Sequence, residues 1–285
     1  MQQHPQQHTP APNSPPMAAT VADSDAATQH PPIVLRLRDV TRVYGNTRNT
    51  VATKALNGMS FDVYQREFIS IMGPSGSGKT TLLNLLAGLD RATSGELWLQ
   101  GENMNALSAG KLARFRRRNL GFVFQDFNLL DTLTLAENVA LPLSLDGQHG
   151  DAIQQRVSAT MQFLGIADSM QRYPYEVSGG EQQRAAVARA VVHQPRMLLA
   201  DEPTGNLASA SARALLELFQ KLNTQQQTTT LMVTHDPFSA SYSQRVVFIK
   251  DGRVFTHLQR NGSQQQFFQS ILNTLAQLEG THDLA

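Results

Sequence analysis

The 285 residues are 41% hydrophobic and 16% charged, enough for one large domain or two modest ones with a substantial core. A formal net charge of +1 argues against a nucleic-acid partner, and the absence of cysteine removes disulfides and thiolate metal sites. No apolar run approaches the roughly 20 residues needed to span a bilayer, and residues 1–32 lack the basic start and apolar centre of a secretory signal, so an intracellular protein is expected.

Residues 1–32 are rich in Gln, Pro, Ala, Ser and Thr. They bury too little apolar surface to offset the cost of ordering, and a disordered tail is expected there. Order is expected to begin near Ile33, where IVLRLRDV alternates apolar and polar residues. Further strands are predicted at 59–64, 67–72, 95–100, 121–124, 196–200, 229–234 and 245–250. The runs FISIM (68–72), RMLLA (196–200) and TTLMV (229–233) are apolar without alternation, as strands buried on both faces of a parallel sheet require. Helices are predicted at 79–88, 151–165, 181–193 and 208–222. The stretch 126–178 has helical patterning and no convincing strand, and reads as a helical subdomain inserted into an α/β core. Near the C-terminus, Phe268, Ile271, Leu272, Leu275 and Leu278 recur at helical spacing with Gly280 as a stop. That stripe reads foremost as a helix docked on the core, with a partner-binding face as the lesser alternative.

The segment GPSGSGKT (73–80) fits the pattern G-x-x-x-x-G-K-[ST] at Gly73, Gly78, Lys79 and Thr80. It follows an apolar strand and opens a helical run, which is the context the motif needs. Its glycines let backbone N–H groups wrap a polyphosphate. Lys79 is expected to reach the β- and γ-phosphates, and the Thr80 hydroxyl to ligate Mg²⁺. RMLLADEP ends an apolar strand in two carboxylates. Asp201 suits Mg²⁺ and Glu202 the polarisation of an attacking water. Neighbouring strand residues point to opposite sides, so the two acids are expected to serve different roles. TTLMVTHDP places His235 at another strand end, near a γ-phosphate in this reading. Gln125, closing GFVFQ, is read as a sensor of Mg²⁺ or water, and Tyr44 in RVYG as a ring stacking on a purine. VSGGEQQR (177–184) sets two glycines just before a helical run, a second anion-binding geometry far from the first in sequence.

Taken in order, GPSGSGKT, Gln125, VSGGEQQR, LLADEP, the GNL turn and His235 make residues 33–256 resemble an ATP-binding-cassette (ABC) transporter ATPase subunit. The resemblance implies a P-loop NTPase core with a mostly parallel sheet, an antiparallel β part and the helical insert, followed by a C-terminal extension at 257–285. It implies ATP and Mg²⁺ as ligands. The ATP site is then Tyr44, Gly73, Pro74, Ser75, Gly76, Ser77, Gly78, Lys79, Thr80, Thr81 and Gln125. The metal is held by Thr80, Gln125 and Asp201, and Lys79, Glu202 and His235 act in catalysis. Ser178, Gly179, Gly180 and Glu181 resemble the family signature, which closes over ATP held by a second ATPase subunit, so a homodimer is implied. An integral membrane permease is the other implied partner, with the chain peripheral on the cytoplasmic face of the membrane. Glu181 stands where the signature often has Gln, a variant expected to change little. Ala208 stands where the family turn usually has Asp, which puts tight coupling between the two sites in doubt.

Within the family, the 126–140 region, YPYEVSGGE, THDPFSASYSQRVVFIKDG and the C-terminal tail look most like bacitracin-type peptide-resistance ATPases. Lipoprotein-release, macrolide-export and cell-division types are the alternatives. A soluble non-transport ABC ATPase is remoter, since the chain has one cassette and no heptads. The Arg run LARFRRR (112–118) faces either a permease or lipid headgroups, or simply solvent.

Overall fold

The apolar runs without alternation become the centre of a six-stranded sheet. In the computed structural model, β3 (Phe68–Met72) pairs in parallel with β8 (Thr229–Val233), and β8 with β7 (Met197–Asp201). The order is β10-β9-β3-β8-β7-β6, with β6 (Leu120–Val123) and β9 (Arg245–Lys250) also parallel to their neighbours. Only β10 (Arg253–Gln259) runs antiparallel. A second, antiparallel sheet has the order β2-β1-β4-β5, built from β1 (Ile33–Tyr44), β2 (Thr53–Tyr64), β4 (Ser94–Leu99) and β5 (Glu102–Asn103). This is the expected mostly parallel core with an antiparallel part.

Structure is described for residues 1, 31–45 and 52–280, and all its elements belong to the unit Pro31–Ala285. The expected disordered tail, 1–32, lies outside the described residues except at Met1, Pro31 and Pro32.

Strand alternation divides the core in two. Ile69, Leu199 and Leu231 face a cluster with Leu35 and Leu37 of the antiparallel sheet and Leu82 and Leu86 of α1 (Lys79–Leu86). Their neighbours Phe68, Leu198 and Met232 face the opposite side, against α3 (Leu135–Leu145), α4 (Asp151–Phe163), α5 (Gly179–Val191) and α6 (Ser209–Gln225). The section 126–178 contains α3, α4 and two 3-10 turns, Ala167–Ser169 and Pro174–Glu176, and no strand.

Four details differ from expectation. The helix predicted from 181 starts two residues earlier, because the Ser178 side chain caps it, so Gly179 and Gly180 lie inside its first turn. The final helix, α8 (Gln264–Gly280), docks on Met72, Val246 and Phe248, but its buried face is Phe267, Ile271, Thr274 and Leu278. With Phe267 and Phe268 adjacent, periodicity alone left the phase open by one residue. The strand β10 was not foreseen, since it is an edge strand with a half-exposed, polar pattern, and it runs past residue 256. The Arg run sits on α2 (Ala109–Asn119) and is neither fully solvated nor free. Arg116 donates to the Gly88 carbonyl at 2.7 Å and Arg117 to the Leu145 carbonyl at 2.6 Å, while Arg118 pairs with Asp146 at 3.2 Å. These cations thus meet the carbonyl ends of α1 and α3, where the helix dipole favours them.

Candidate functional site

The strand β3 stops at Met72 and the chain turns through Gly73–Gly78 into α1. The turn admits only glycine at its ends: a Cβ at Gly73 would lie 2.2 Å from the Ile249 carbonyl oxygen, and one at Gly78 2.5 Å from that of Ala55. Gly78 is also the left-handed N-cap of α1, with φ 101°. No side chain caps this helix, so its first N–H groups remain available to an anion. Lys79 folds back over the turn, and its Nζ donates to the carbonyls of Gly73 at 2.7 Å and Pro74 at 2.9 Å. Burial pushes the ammonium below its ordinary pKa, against the opposing pull of Glu202 and Asp201. Ser75, Gly76 and Thr80 are exposed, Thr81 is half-buried, and the buried Ser77 hydroxyl has no partner among the described residues. A carbonyl-held ammonium, a bare helix N-terminus and an orphaned hydroxyl together fit a polyphosphate.

Asp201 is the last residue of β7. Burial, then the neighbouring Glu202, push its carboxyl up, and Lys79 opposes them. Among the described residues no group of three or more His, Asp or Glu forms a metal cage. That suits Mg²⁺, which is usually held by one or two carboxylates together with substrate phosphates.

The expected strand alternation between Asp201 and Glu202 does not hold. Glu202 lies past the strand end in the left-handed region, with φ 44°, its N–H donating to the Val233 carbonyl at 2.9 Å. The two acids diverge because the backbone turns, not because a strand pleats. The Glu202 carboxylate accepts the His235 N–H at 3.0 Å and the His235 Nδ1 at 2.7 Å. The Glu202 side chain is only 15% exposed and that of His235 75%, so the acid is sheltered and the imidazole opens to solvent. Asp236 is a structural cap, accepting the N–H groups of Phe238 and Ser239 at the start of α7 (Pro237–Ala240).

Gln125 lies two residues past β6, and its side chain rests on Gly205 in the turn that follows Glu202. Asn206, of the GNL turn, donates to the Gln125 carbonyl at 3.2 Å and to Asp126 at 2.8 Å. Lys79, Asp201, Glu202, His235 and Gln125 therefore all stand just beyond the C-terminal ends of four adjacent strands, β3, β8, β7 and β6. Tyr44, at the end of β1, has its hydroxyl bonded to Asp90 at 2.7 Å and one ring face under the Arg42 guanidinium, 4.4 Å from the centroid.

Ser178 is the N-cap of α5. Its hydroxyl accepts the Glu181 N–H at 3.3 Å and donates to the Glu181 carboxylate at 2.7 Å, closing a capping box. Ser169 donates to the other carboxylate oxygen at 2.6 Å. The two serine hydroxyls and the Ser178 N–H pull the Glu181 carboxyl down to about 2. Sequence reasoning missed Gln183, fully buried one turn into α5, which donates to the Pro203 carbonyl at 2.6 Å. Its only sequence signal was a polar residue within a helix face otherwise lined by alanine and valine.

The family model described as ABC transporter matches residues 56–205. The chain belongs to the ABC transporter family. It is an ATP-binding ATPase subunit, as the motifs implied. It is similar to the ABC transporter ATP-binding protein YxdL of Bacillus subtilis (strain 168), 47% identical over 247 residues, which are 87% of this chain and 95% of that protein. It is similar also to the bacitracin export ATP-binding protein BceA of Halalkalibacterium halodurans, 44% identical over 251 residues, 88% of this chain and 98% of that one. Among solved structures, a dimeric post-hydrolysis state of the ATP-binding cassette MJ0796, bound to ADP and Pi, superposes with a TM-score of 0.73. The identity is 36%, over 80% of this chain and 100% of that one. The expected ABC ATPase fold is thereby borne out.

Proposed function

We propose that this ATPase hydrolyses Mg-ATP to drive a separately encoded permease in resistance to, or export of, an antimicrobial peptide. The single observation that carries the chemistry is the gathering of Lys79, Asp201, Glu202, His235 and Gln125 beyond four neighbouring strand ends. In this reading the 73–81 loop cradles the phosphates and Lys79 neutralises their charge. Glu202 accepts the proton of a water that attacks the γ-phosphorus as the bond to the leaving ADP oxygen breaks. His235, fixed to Glu202 through Nδ1, contacts the γ-phosphate. Thr80, Asp201 and Gln125 hold Mg²⁺, which when bound supplies charge neutralisation at the β- and γ-phosphates. Tyr44 stacks on the purine through the ring face that Arg42 leaves uncovered.

Ser178, Gly179, Gly180 and Glu181 close on ATP bound by a second copy. Two chains packed head to tail then bury two ATPs, and hydrolysis removes the bond between them. The dimeric state of the similar MJ0796 cassette supports this arrangement. The cassette occupies 33–256 with its helical insert at 126–178, and 257–285 is an extension whose helix packs on the core. No helix among the described residues is long and apolar enough to cross a membrane. The motor therefore docks peripherally, on the cytoplasmic face, against a partner that supplies the spans. Residues 126–135, joined to the site by Gln125, are the proposed contact.

The peptide cargo rests on similarity to the bacitracin export protein. The test is deletion of the encoding gene, challenge with bacitracin-like and lantibiotic-like peptides, and identification of the integral membrane protein that co-purifies. Raised peptide sensitivity is expected. Unchanged sensitivity with altered macrolide tolerance or lipoprotein release moves the chain to a sister group.

A further inference from the structure

Gln183 makes an unusual pair of contacts. Its Nε2 donates to the Pro203 carbonyl at 2.6 Å and to the Phe124 carbonyl at 3.3 Å. Pro203 follows Glu202 and Phe124 precedes Gln125. One amide group on α5 thus grips the backbone beside both residues proposed to handle water and metal. The side chain is fully buried, and its Oε1 has no hydrogen-bond partner among the described residues. The opposite amide orientation would set Oε1 against two carbonyl oxygens, so the donor must face them. A buried amide that leaves its oxygen unsatisfied is poor packing design for a helix face lined by Ala185, Ala186 and Val187, where an apolar side chain is the cheaper filler.

The backbone it grips is under strain. Glu202 is held in the left-handed region, a conformation that persists only where its surroundings impose it. The carbonyl bonded to Gln183 belongs to the next residue. Gln125 leans on Gly205 in that same turn. Five residues before Gln183 on the same helix stands Ser178, the cap of the proposed trans half-site.

We infer that Gln183 is a positioning residue: it ties Gln125 and Glu202 of one ATP site to the helix that presents Ser178 to the other. The inference rests on the roles proposed above for those three residues. It gives the two sites of a dimer a short covalent and hydrogen-bonded path through each chain, independent of Ala208.

The test replaces Gln183 by Met, which has similar length and no donor. We expect kcat to fall on the order of 10²-fold, with KM for ATP within about twofold, measured well below the melting temperature of the variant. Combined with Gln125→Ala, the double variant should be no slower than the slower single one, because both act through one turn. Should the Met variant fold poorly, Gln183→Glu serves. A buried carboxyl is protonated near neutrality and still offers one hydrogen to Pro203, so its turnover relative to wild type should rise as pH falls from about 8 to about 6. A purely structural residue would lower melting temperature alone, leaving kcat of folded protein unchanged and the pH ratio flat, and either result overturns the inference. If Lys79→Ala and Glu202→Gln lose turnover while Gln183→Met keeps it, this inference fails and the proposed catalytic roles stand. If those two keep turnover, the proposed roles fail first.

Discussion

Glu202 and His235 share one oxygen. The Oε1 of Glu202 accepts the backbone N–H of His235 at 3.0 Å and its Nδ1 at 2.7 Å, so acid and imidazole are positioned by each other across two strand ends. Replacing Glu202 by Gln retains the side-chain volume and an acceptor oxygen but removes the base. Loss of a general base costs typically ~10²–10⁴-fold. We expect kcat to fall by that range while ATP binding, read by equilibrium dialysis, stays near wild type. Hydrolysis at the wild-type rate would mean that another group takes the proton.

Lys79 differs from Glu202 in what it should take away. Its ammonium is held by two loop carbonyls, at 2.7 and 2.9 Å, and shapes the cradle itself. Lys79→Ala should lose nucleotide binding as well as turnover. A variant that binds ATP normally and fails only in kcat would reassign Lys79 to a purely catalytic role.

The capping box at the signature helix predicts a pH dependence. The Glu181 carboxyl is pulled from 4.5 to about 2 by Ser169 and then Ser178. Its folded-state pKa is therefore depressed, and its stabilisation is present above about pH 4.5 and lost as pH falls toward about 2. Because the group is partly solvated, the expected contribution is that of a helix cap, about 1 kcal/mol. Urea unfolding of wild type and Glu181→Gln should differ by about that much at pH 7 and converge near pH 3. Curves that stay parallel across this range would contradict the hydrogen-bonded carboxylate.

Ala208 is the N-cap of α6, with extended backbone at φ −62° and ψ 150° and no side-chain cap. The backbone is already shaped for a capping side chain. Ala208→Asp should stabilise the protein by about 1 kcal/mol, a rise of roughly 2–4 °C in Tm. Differential scanning calorimetry reads it directly, and a lowered Tm would show that the carboxylate meets something unfavourable there.

Much of this site was legible because its parts are contiguous. GPSGSGKT carries its own strand, turn and helix, and FISIM, RMLLA and TTLMV announce buried strands by lacking alternation. The residues that escaped depend on tertiary context. Nothing in a glutamate marks a left-handed backbone, so the turn at Glu202 was read as strand. The burial of Gln183 arises only when the loops after β6 and β7 converge on α5. The two adjacent phenylalanines of α8 gave a stripe but not its phase, which the groove along Val246 and Phe248 decides. The arginines of α2 looked like a surface charge run because their partners, the ends of α1 and α3, lie 28 residues away in sequence.

The central claim is that the 73–81 loop and the Ser178 cap are halves of one ATP site that only two copies complete. Size exclusion with light scattering on Glu202→Gln protein, with Mg-ATP and with Mg-ADP, tests it directly. The account predicts a dimer with ATP, a monomer with ADP, and loss of the ATP dimer on adding Ser178→Arg. A strictly monomeric Glu202→Gln protein at high concentration with saturating Mg-ATP would contradict it.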